Sequence, residues 1–139
     1  MKKLGRKTRR QLQKLGVAII YLYGSAALGR SSRLSDVDLG VVFKHSSLLR
    51  PDARRSQLSL ELSRCLEPIV APRGSRELDL VLLQAASPVL QFEAINAGRP
   101  LFVADRMFQA DYEAAVLRDY LDVSPLVEAH YRAALERAA

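Results

Sequence analysis

The sequence of 139 residues has the length of about one domain, and its 49% hydrophobic and 26% charged residues are typical of a globular protein without low-complexity tracts. Seven of its 21 basic residues lie among the first 14 positions, which hold no acidic residue, while the other 125 positions carry 14 basic and 15 acidic side chains. The net charge of +6 therefore belongs to the N-terminal segment, which we expect to be a solvated helix rather than a nucleic-acid arm. Docking of this segment to an acidic partner is a third alternative.

The single cysteine, Cys65, excludes an intramolecular disulfide and is typical of a reducing compartment, so we expect a cytoplasmic protein. The apolar run VAIIYLY follows a basic stretch, as in a secretory signal, but it is short and holds two tyrosines. It is also much shorter than the roughly 20 residues that a helix needs to span a bilayer. We therefore expect neither a secretory signal nor a membrane segment.

The predicted elements begin with a helix over about residues 6–15, closed by Gly16 in a left-handed conformation. The β-branched and aromatic run over 17–23 predicts a buried strand that ends at Gly24. The segment DVDLGVVF, 36–43, predicts a second strand with its apolar residues on one face and its two aspartates on the other.

The remaining elements follow from proline, glycine and serine signals and from hydrophobic periodicity. In chain order they are a helix that opens at Pro51 and ends near Pro68, a third strand over 77–83, a helix from Ser87-Pro88 to Gly98, a short strand over 100–103, and two helices over about 106–121 and 125–138. Helices and strands therefore alternate irregularly along the chain.

The connection between the first two strands is only about ten residues long, whereas a parallel crossover needs a dozen or more. We therefore expect these strands to be antiparallel. In that arrangement Gly24 and Ser25, at the end of the first strand, lie beside Asp36 and Asp38, at the beginning of the second.

Paired carboxylates are the first chemical signal. Asp36 and Asp38 are two residues apart on a strand, so their side chains point to the same side with β-carbons about 6–7 Å apart. Like charges this close resist joint ionisation unless a cation neutralises them, and hard oxygen ligands select Mg²⁺ or Mn²⁺. Asp79 of the third strand supplies another carboxylate if that strand neighbours the second. Three carboxylates with two metal ions are the machinery of in-line phosphoryl or nucleotidyl transfer.

The Gly-Ser pair is the second signal. Gly24 allows backbone to approach a phosphate closely, and the amides of a turn leading into a short helix over about 25–29 form an anion site. The hydroxyl of Ser25 adds a donor. The pair therefore favours a nucleotide as the ligand.

Together these motifs resemble the nucleotidyltransferase superfamily that includes DNA polymerase beta, and most of all the minimal nucleotidyltransferases (MNT) of HEPN/MNT toxin–antitoxin pairs. The resemblance spans roughly residues 10–105 and is carried by Gly24-Ser25, ten residues, Asp36-Val37-Asp38, and Asp79 in ELDLV. It implies an α+β (mixed α/β) nucleotidyltransferase fold, with a small mixed or antiparallel sheet flanked by helices. We expect a single domain over 1–139, divided into a basic N-terminal helix (1–15), a catalytic core (16–104) and C-terminal helices (105–139).

The resemblance also implies a role for each candidate residue. Asp36 and Asp38 bind both metal ions, Mg²⁺ or Mn²⁺. Asp79 completes the metal site and is a candidate base. Gly24 and Ser25 hold the triphosphate of ATP. The implied reaction transfers AMP from ATP, in antitoxins to a tyrosine hydroxyl of the partner HEPN ribonuclease.

One position departs from the family pattern. Family members commonly carry Arg where this sequence has Leu28, and Arg30 and Arg33 are the candidates to replace it in phosphate binding. An alternative therefore stays open, in which the chain is an inactive antitoxin that neutralises its partner by occlusion.

Further alternatives concern the substrate and the assembly. A small-molecule adenylyltransferase of the aminoglycoside-modifying kind usually has a large extra substrate domain, and only about 35 residues follow the predicted sheet. A homo-oligomer could supply the missing wall. Tyr112, Tyr120 and Tyr131 are expected to be packing or partner-surface residues.

Overall fold

The computed structural model describes residues 4–24, 37–70 and 78–138. Their elements form an α+β fold, as predicted. In chain order the elements are α1 (Arg6–Lys14), β1 (Val17–Tyr23), β2 (Val37–Phe43), α2 (Asp52–Val70), β3 (Leu78–Leu82), α3 (Pro88–Ala97), β4 (Arg99–Val103) and α4 (Arg106–Ala138). Among the helices of these ranges, none combines the length and the apolar character needed to cross a membrane.

The four described strands form one mixed sheet in the order β3-β2-β1-β4. The first strand, β1, pairs antiparallel with both β2 and β4, so the antiparallel pairing predicted from the short connection is confirmed. The pairing of β2 with β3 is parallel. This parallel step is possible because α2 lies between the two strands in the chain and provides the crossover.

Helices cover both faces of the sheet, which explains why all seven residues of β1 are buried. On one face, apolar residues of the strands pack with Leu12 of α1 and with the buried row of α2: Leu58, Leu62, Leu66 and Val70. On the other face, Tyr21, Tyr23 and Val42 pack with Ala94 of α3 and with Phe108 and Tyr112 of α4. The strands therefore alternate between two separate hydrophobic layers.

Two local signals act as the sequence predicts. Gly16 follows α1 with φ +85°, and the Ser87 hydroxyl accepts a hydrogen bond from the Leu90 amide at 3.2 Å at the start of α3. Both residues end or begin their helix at the expected position.

Two prolines lie inside helices. The predicted break at Pro125 is wrong, whereas the predicted end of the second long helix near Pro68 agrees with the observed end of α2 at Val70. Pro125 lies inside α4, which is one continuous helix rather than two, and α2 continues past Pro68 to Val70. A proline removes only its own N–H donor and crowds the preceding turn, at a cost of about 3 kcal/mol. In α2 the burial of Leu66 and Val70 on either side of the proline offsets that cost.

Candidate active site

Three polar side chains form one row across β1, β2 and β3, where β1 ends and β2 and β3 begin. In the strand register Tyr23 of β1 lies opposite Asp38 of β2, and Asp38 lies beside Asp79 of β3. Strand alternation explains their common side, because the neighbours of Asp38 in β2, Val37 and Leu39, are fully buried against the opposite layer. Adjacent strands are about 4.8 Å apart, so the two aspartates stand next to each other on the face covered by α3.

Gly24 meets this row at the end of β1. Its φ of +72° lies in the left-handed region, and a β-carbon built on it would fall on the Oδ2 atom of Asp38. The carboxylate of Asp38 therefore packs directly against the α-carbon of Gly24, in space that any other residue would fill. The predicted proximity of Gly24 to Asp38 is present in the structure.

The electrostatics of Tyr23 report the negative charge of this region. Burial is the main cause that raises the pKa of Tyr23 to about 12, and the charges of Asp38, Asp79 and Glu93 raise it further, in that order. Glu93 is an exposed residue of α3. Three carboxylates therefore act on one phenol, which makes this part of the sheet attractive to a cation.

Carboxylate oxygens are the hard donors that Mg²⁺ and Mn²⁺ prefer, so the neighbouring carboxylates of Asp38 and Asp79 fit such an ion chemically. They do not form a complete site by themselves. Across residues 4–24, 37–70 and 78–138, no three His, Cys, Asp or Glu side chains are grouped closely enough to hold a metal ion. Other protein groups, water or nucleotide phosphates would have to complete the coordination of the ion.

Several predicted site residues lie outside the described residues: Ser25, Arg30, Arg33 and Asp36, together with Leu28. Their roles stay predictions, and so does the joint role of Asp36 with Asp38 and Asp79. Sequence reasoning missed Tyr23 and Glu93. The sequence marks Tyr23 only as a residue of a buried strand. Glu93 carries no motif, because only the packing of α3 on the sheet brings its charge near Tyr23.

A separate cleft of about 580 Å³ opens at the other end of β1. It is lined by Gln13, Gly16, Val17, Ala18, Lys44, Ala104, Asp105, Arg106 and Phe108. Neither Gly24 nor the described aspartates Asp38 and Asp79 line it. The carboxylate Oδ1 of Asp105 accepts a hydrogen bond from the Met107 amide at 2.9 Å. Within this cleft, the N-terminus of α4 is therefore capped by an acidic side chain of the same chain.

Comparison with known proteins gives the same fold. Among curated proteins none matches the chain. A chain from a crystal structure of a toxin–antitoxin with AMP-PNP has a TM-score of 0.65 and 22% identity, and the match covers 91% of this chain and 98% of that chain. A chain from the structure of tri-AMPylated Shewanella oneidensis HEPN toxin in complex with MNT antitoxin has a TM-score of 0.61 and 19% identity, and the match covers 94% of this chain and 98% of that chain. A chain from the crystal structure of the MntA-HepT toxin–antitoxin has a TM-score of 0.60 and 19% identity, and the match covers 94% of this chain and 99% of that chain.

The family assignment rests on the sequence match. The model of the family described as polymerase beta, nucleotidyltransferase matches residues 6–107, which include all four described strands, Gly24, and the site aspartates Asp38 and Asp79. The fold similarity to the solved structures agrees with it. This chain therefore belongs to the polymerase beta nucleotidyltransferase family.

Proposed function

We propose that this protein is an antitoxin that transfers AMP from ATP to a hydroxyl, a tyrosine hydroxyl by preference, of a partner HEPN toxin. The observation that carries the proposal is the in-register pair Asp38 and Asp79 beside the left-handed Gly24, in a chain of the nucleotidyltransferase family. Adjacent carboxylates and a side-chain-free turn are what a Mg²⁺-bound triphosphate needs.

The proposed reaction is a single displacement. The acceptor oxygen bonds to the α-phosphorus of ATP, the bond to pyrophosphate breaks, and the hydroxyl proton passes to a carboxylate, for which Asp79 is the candidate. Bound Mg²⁺ would neutralise the triphosphate and lower the pKa of the attacking hydroxyl. Asp38 lies on an inner strand, paired on both sides, and therefore provides a rigid ligand.

The remaining groups of the proposed site come from the segment between β1 and β2. Asp36 would share the metal ions with Asp38, and Ser25 would bind the triphosphate together with the backbone at Gly24. Arg30 and Arg33 would supply positive charge where Leu28 cannot. These assignments follow the family pattern and are part of the proposal.

The choice of partner is supported by the solved structures of similar fold. One of them contains an AMPylated HEPN toxin bound to an MNT antitoxin, and its matching chain is covered almost completely by this one. The small-molecule alternative has no support of this kind among the structures named above.

The test combines labelling and nucleotide binding. The purified protein is incubated with α-labelled ATP, Mg²⁺ and a purified HEPN ribonuclease as the proposed partner, and label on the HEPN protein is measured. We expect Asp38→Asn and Asp79→Asn each to reduce the labelling rate by about 100-fold or more, because removal of a metal-binding carboxylate removes transition-state charge stabilisation. Asp119→Asn, an exposed change on α4, is the matched control and should leave the rate unchanged.

Binding of Mg²⁺·AMP-PNP by titration calorimetry separates this proposal from occlusion. A wild-type protein that binds no nucleotide and transfers no label, yet still inhibits the HEPN ribonuclease, would establish the occluding antitoxin instead. Full labelling by both site variants would refute the assignment of the aspartates while leaving the reaction itself standing.

A further inference from the structure

The long C-terminal helix α4 exposes an unusual amount of apolar surface. Six large apolar side chains of α4 are between 46% and 73% exposed: Met107, Leu117, Leu121, Leu126, Tyr131 and Leu135. Leu126 lies apart from the other five, on the opposite face of the helix. Single exposed apolar residues are ordinary on protein surfaces, but a contiguous apolar patch marks an interaction site. The question is therefore whether these five side chains share one face.

Their spacing shows that they do. Beginning at Met107, steps of three and four residues alternate without interruption to the end of α4, which is a heptad pattern of 3.5 residues per turn. The ten positions, called the α4 seam below, are Met107, Ala110, Ala114, Leu117, Leu121, Ser124, Glu128, Tyr131, Leu135 and Ala138. Eight of the ten are apolar, and all except Ser124 are exposed. The buried residue Val116 belongs to a different face, so the seam is additional to the face that packs on the body of the protein.

A heptad seam on an exposed helix fits another helix, since side chains spaced every 3.5 residues interlock with those of a partner of the same kind. We propose that the α4 seam joins two copies of this chain in an antiparallel dimer. This proposal does not depend on the proposed nucleotidyl transfer, because its residues lie on α4 and not at the carboxylates of the sheet.

The sizes of the seam residues favour the antiparallel orientation. When two seams are aligned over their full length in opposite directions, Ala110 faces Leu135 and Ala114 faces Tyr131 of the second copy. In these two layers, and in those of Met107 with Ala138 and Leu121 with Ser124, a large side chain meets a small one, which fills space evenly. In the remaining layer Leu117 packs against the aliphatic stem of Glu128. In the parallel orientation the two alanines would face their own copies and leave gaps, and Glu128 would face Glu128 with like charge.

The charges beside the seam are complementary in the same orientation. Asp111 and Arg132 flank the seam on one side and come level with each other across the antiparallel pair, so the twofold symmetry forms this contact twice. Arg118 comes level with Glu128 of the second copy, which gives the one acidic seam residue an opposite charge. All four side chains are exposed in the single chain and therefore accessible to a second copy.

Sedimentation equilibrium measures the proposed dimer directly. The wild-type protein should show a monomer–dimer equilibrium, and Leu121→Lys should raise the dissociation constant by at least about 10-fold because it places two charges near the twofold axis. The matched control is Leu126→Lys, which changes an equally exposed leucine on the opposite face of the same helix and should leave the constant unchanged. Circular dichroism checks that both variants fold.

A charge exchange tests the register. Asp111→Arg should weaken the dimer, because Arg132 of the second copy would then meet a like charge, and the double variant Asp111→Arg with Arg132→Asp should restore it. Cysteine crosslinking tests the orientation in a Cys65→Ala background. Ala110→Cys protein mixed with Leu135→Cys protein should form the mixed disulfide under mild oxidation, and Ala110→Cys protein alone should form none.

Three outcomes would overturn the proposal. A wild-type protein that remains monomeric at the highest soluble concentration would refute the dimer. The α4 seam would then bind a helix of a different protein. Equal weakening by Leu126→Lys would remove the link between dimer and seam. Efficient crosslinking of Ala110→Cys with itself would establish a parallel pair.

Discussion

Replacement of Gly24 by alanine perturbs the backbone and the site at once. The residue has φ +72°, and the new β-carbon would fall on Oδ2 of Asp38. Alanine in the left-handed region costs about 1–2 kcal/mol, and overpacking against a fixed neighbour typically adds about 1–3 kcal/mol. We therefore expect Gly24→Ala to lower the free energy of unfolding by about 2–5 kcal/mol.

The effect on activity should exceed the effect on stability. To admit the methyl group the Asp38 carboxylate has to move by about an ångström, and a displacement of that size at a reacting centre can reduce a rate by about 100-fold. Labelling of the HEPN protein, measured well below the unfolding temperature, reports this loss. Urea unfolding reports the stability change separately.

Gly16→Ala is the matched control. Gly16 precedes β1, at the opposite end of that strand from Gly24, and has φ +85°. A β-carbon added to it would lie 2.6 Å from Cδ1 of Leu48, which is the end of a flexible side chain. It should carry the backbone cost of about 1–2 kcal/mol and leave the labelling rate of the folded protein unchanged.

A double-mutant cycle isolates the steric contact. In an Asp38→Ala background the carboxylate is absent, so the cost of Gly24→Ala should fall to the backbone share alone. Equal costs of Gly24→Ala in both backgrounds, or a wild-type labelling rate in the single variant, would refute the argument that Gly24 exists to make room for Asp38.

Two further predictions concern stability. Burial raises the pKa of Tyr21, Tyr23 and Tyr112 above the ordinary value near 10, and Tyr21 also donates to Glu113 at 2.7 Å. Above about pH 10 the unfolded chain therefore loses protons that the folded chain keeps. The free energy of unfolding in urea should fall above about pH 10 by about 1.4 kcal/mol per pH unit for each tyrosine, while the contribution of these tyrosines stays constant below about pH 9. A flat profile above about pH 10 would contradict this. Gln84 accepts from the Phe43 amide and donates to its carbonyl, both at 2.8 Å, so Gln84→Ala should cost about 2–3 kcal/mol in thermal or urea unfolding, whereas the exposed Gln57→Ala should cost almost nothing.

The sequence predicts the described part of the site well where the signal is local. The alternation of Asp38 with Val37 and Leu39 determines which face it occupies, and the short connection determines the antiparallel pairing of β1 and β2. The family resemblance, carried by the Gly-Ser and Asp-Val-Asp motifs, is confirmed by the family match.

Features that depend on packing could not be predicted in this way. The Ser-Pro pair at 124 and 125 has the composition of a helix start, but a single missing donor does not interrupt α4. Nothing in the sequence around Glu93 indicates that its charge acts on Tyr23, because that depends on how α3 lies across the sheet. The contact of Gly24 with Asp38 joins two strands and follows only from their register.

The order of the strands places Asp79 on an edge of the sheet. Of the described strands β3 and β4 are the outermost, and each therefore offers unpaired backbone groups to any extended chain that it meets. Pro100 withholds one such donor on β4, and the charge of Asp79 discourages strand addition on β3. A variant that neutralises Asp79 to test the proposed reaction should therefore also aggregate more readily on storage, so the carboxylate proposed as a metal ligand would also protect the edge of the sheet.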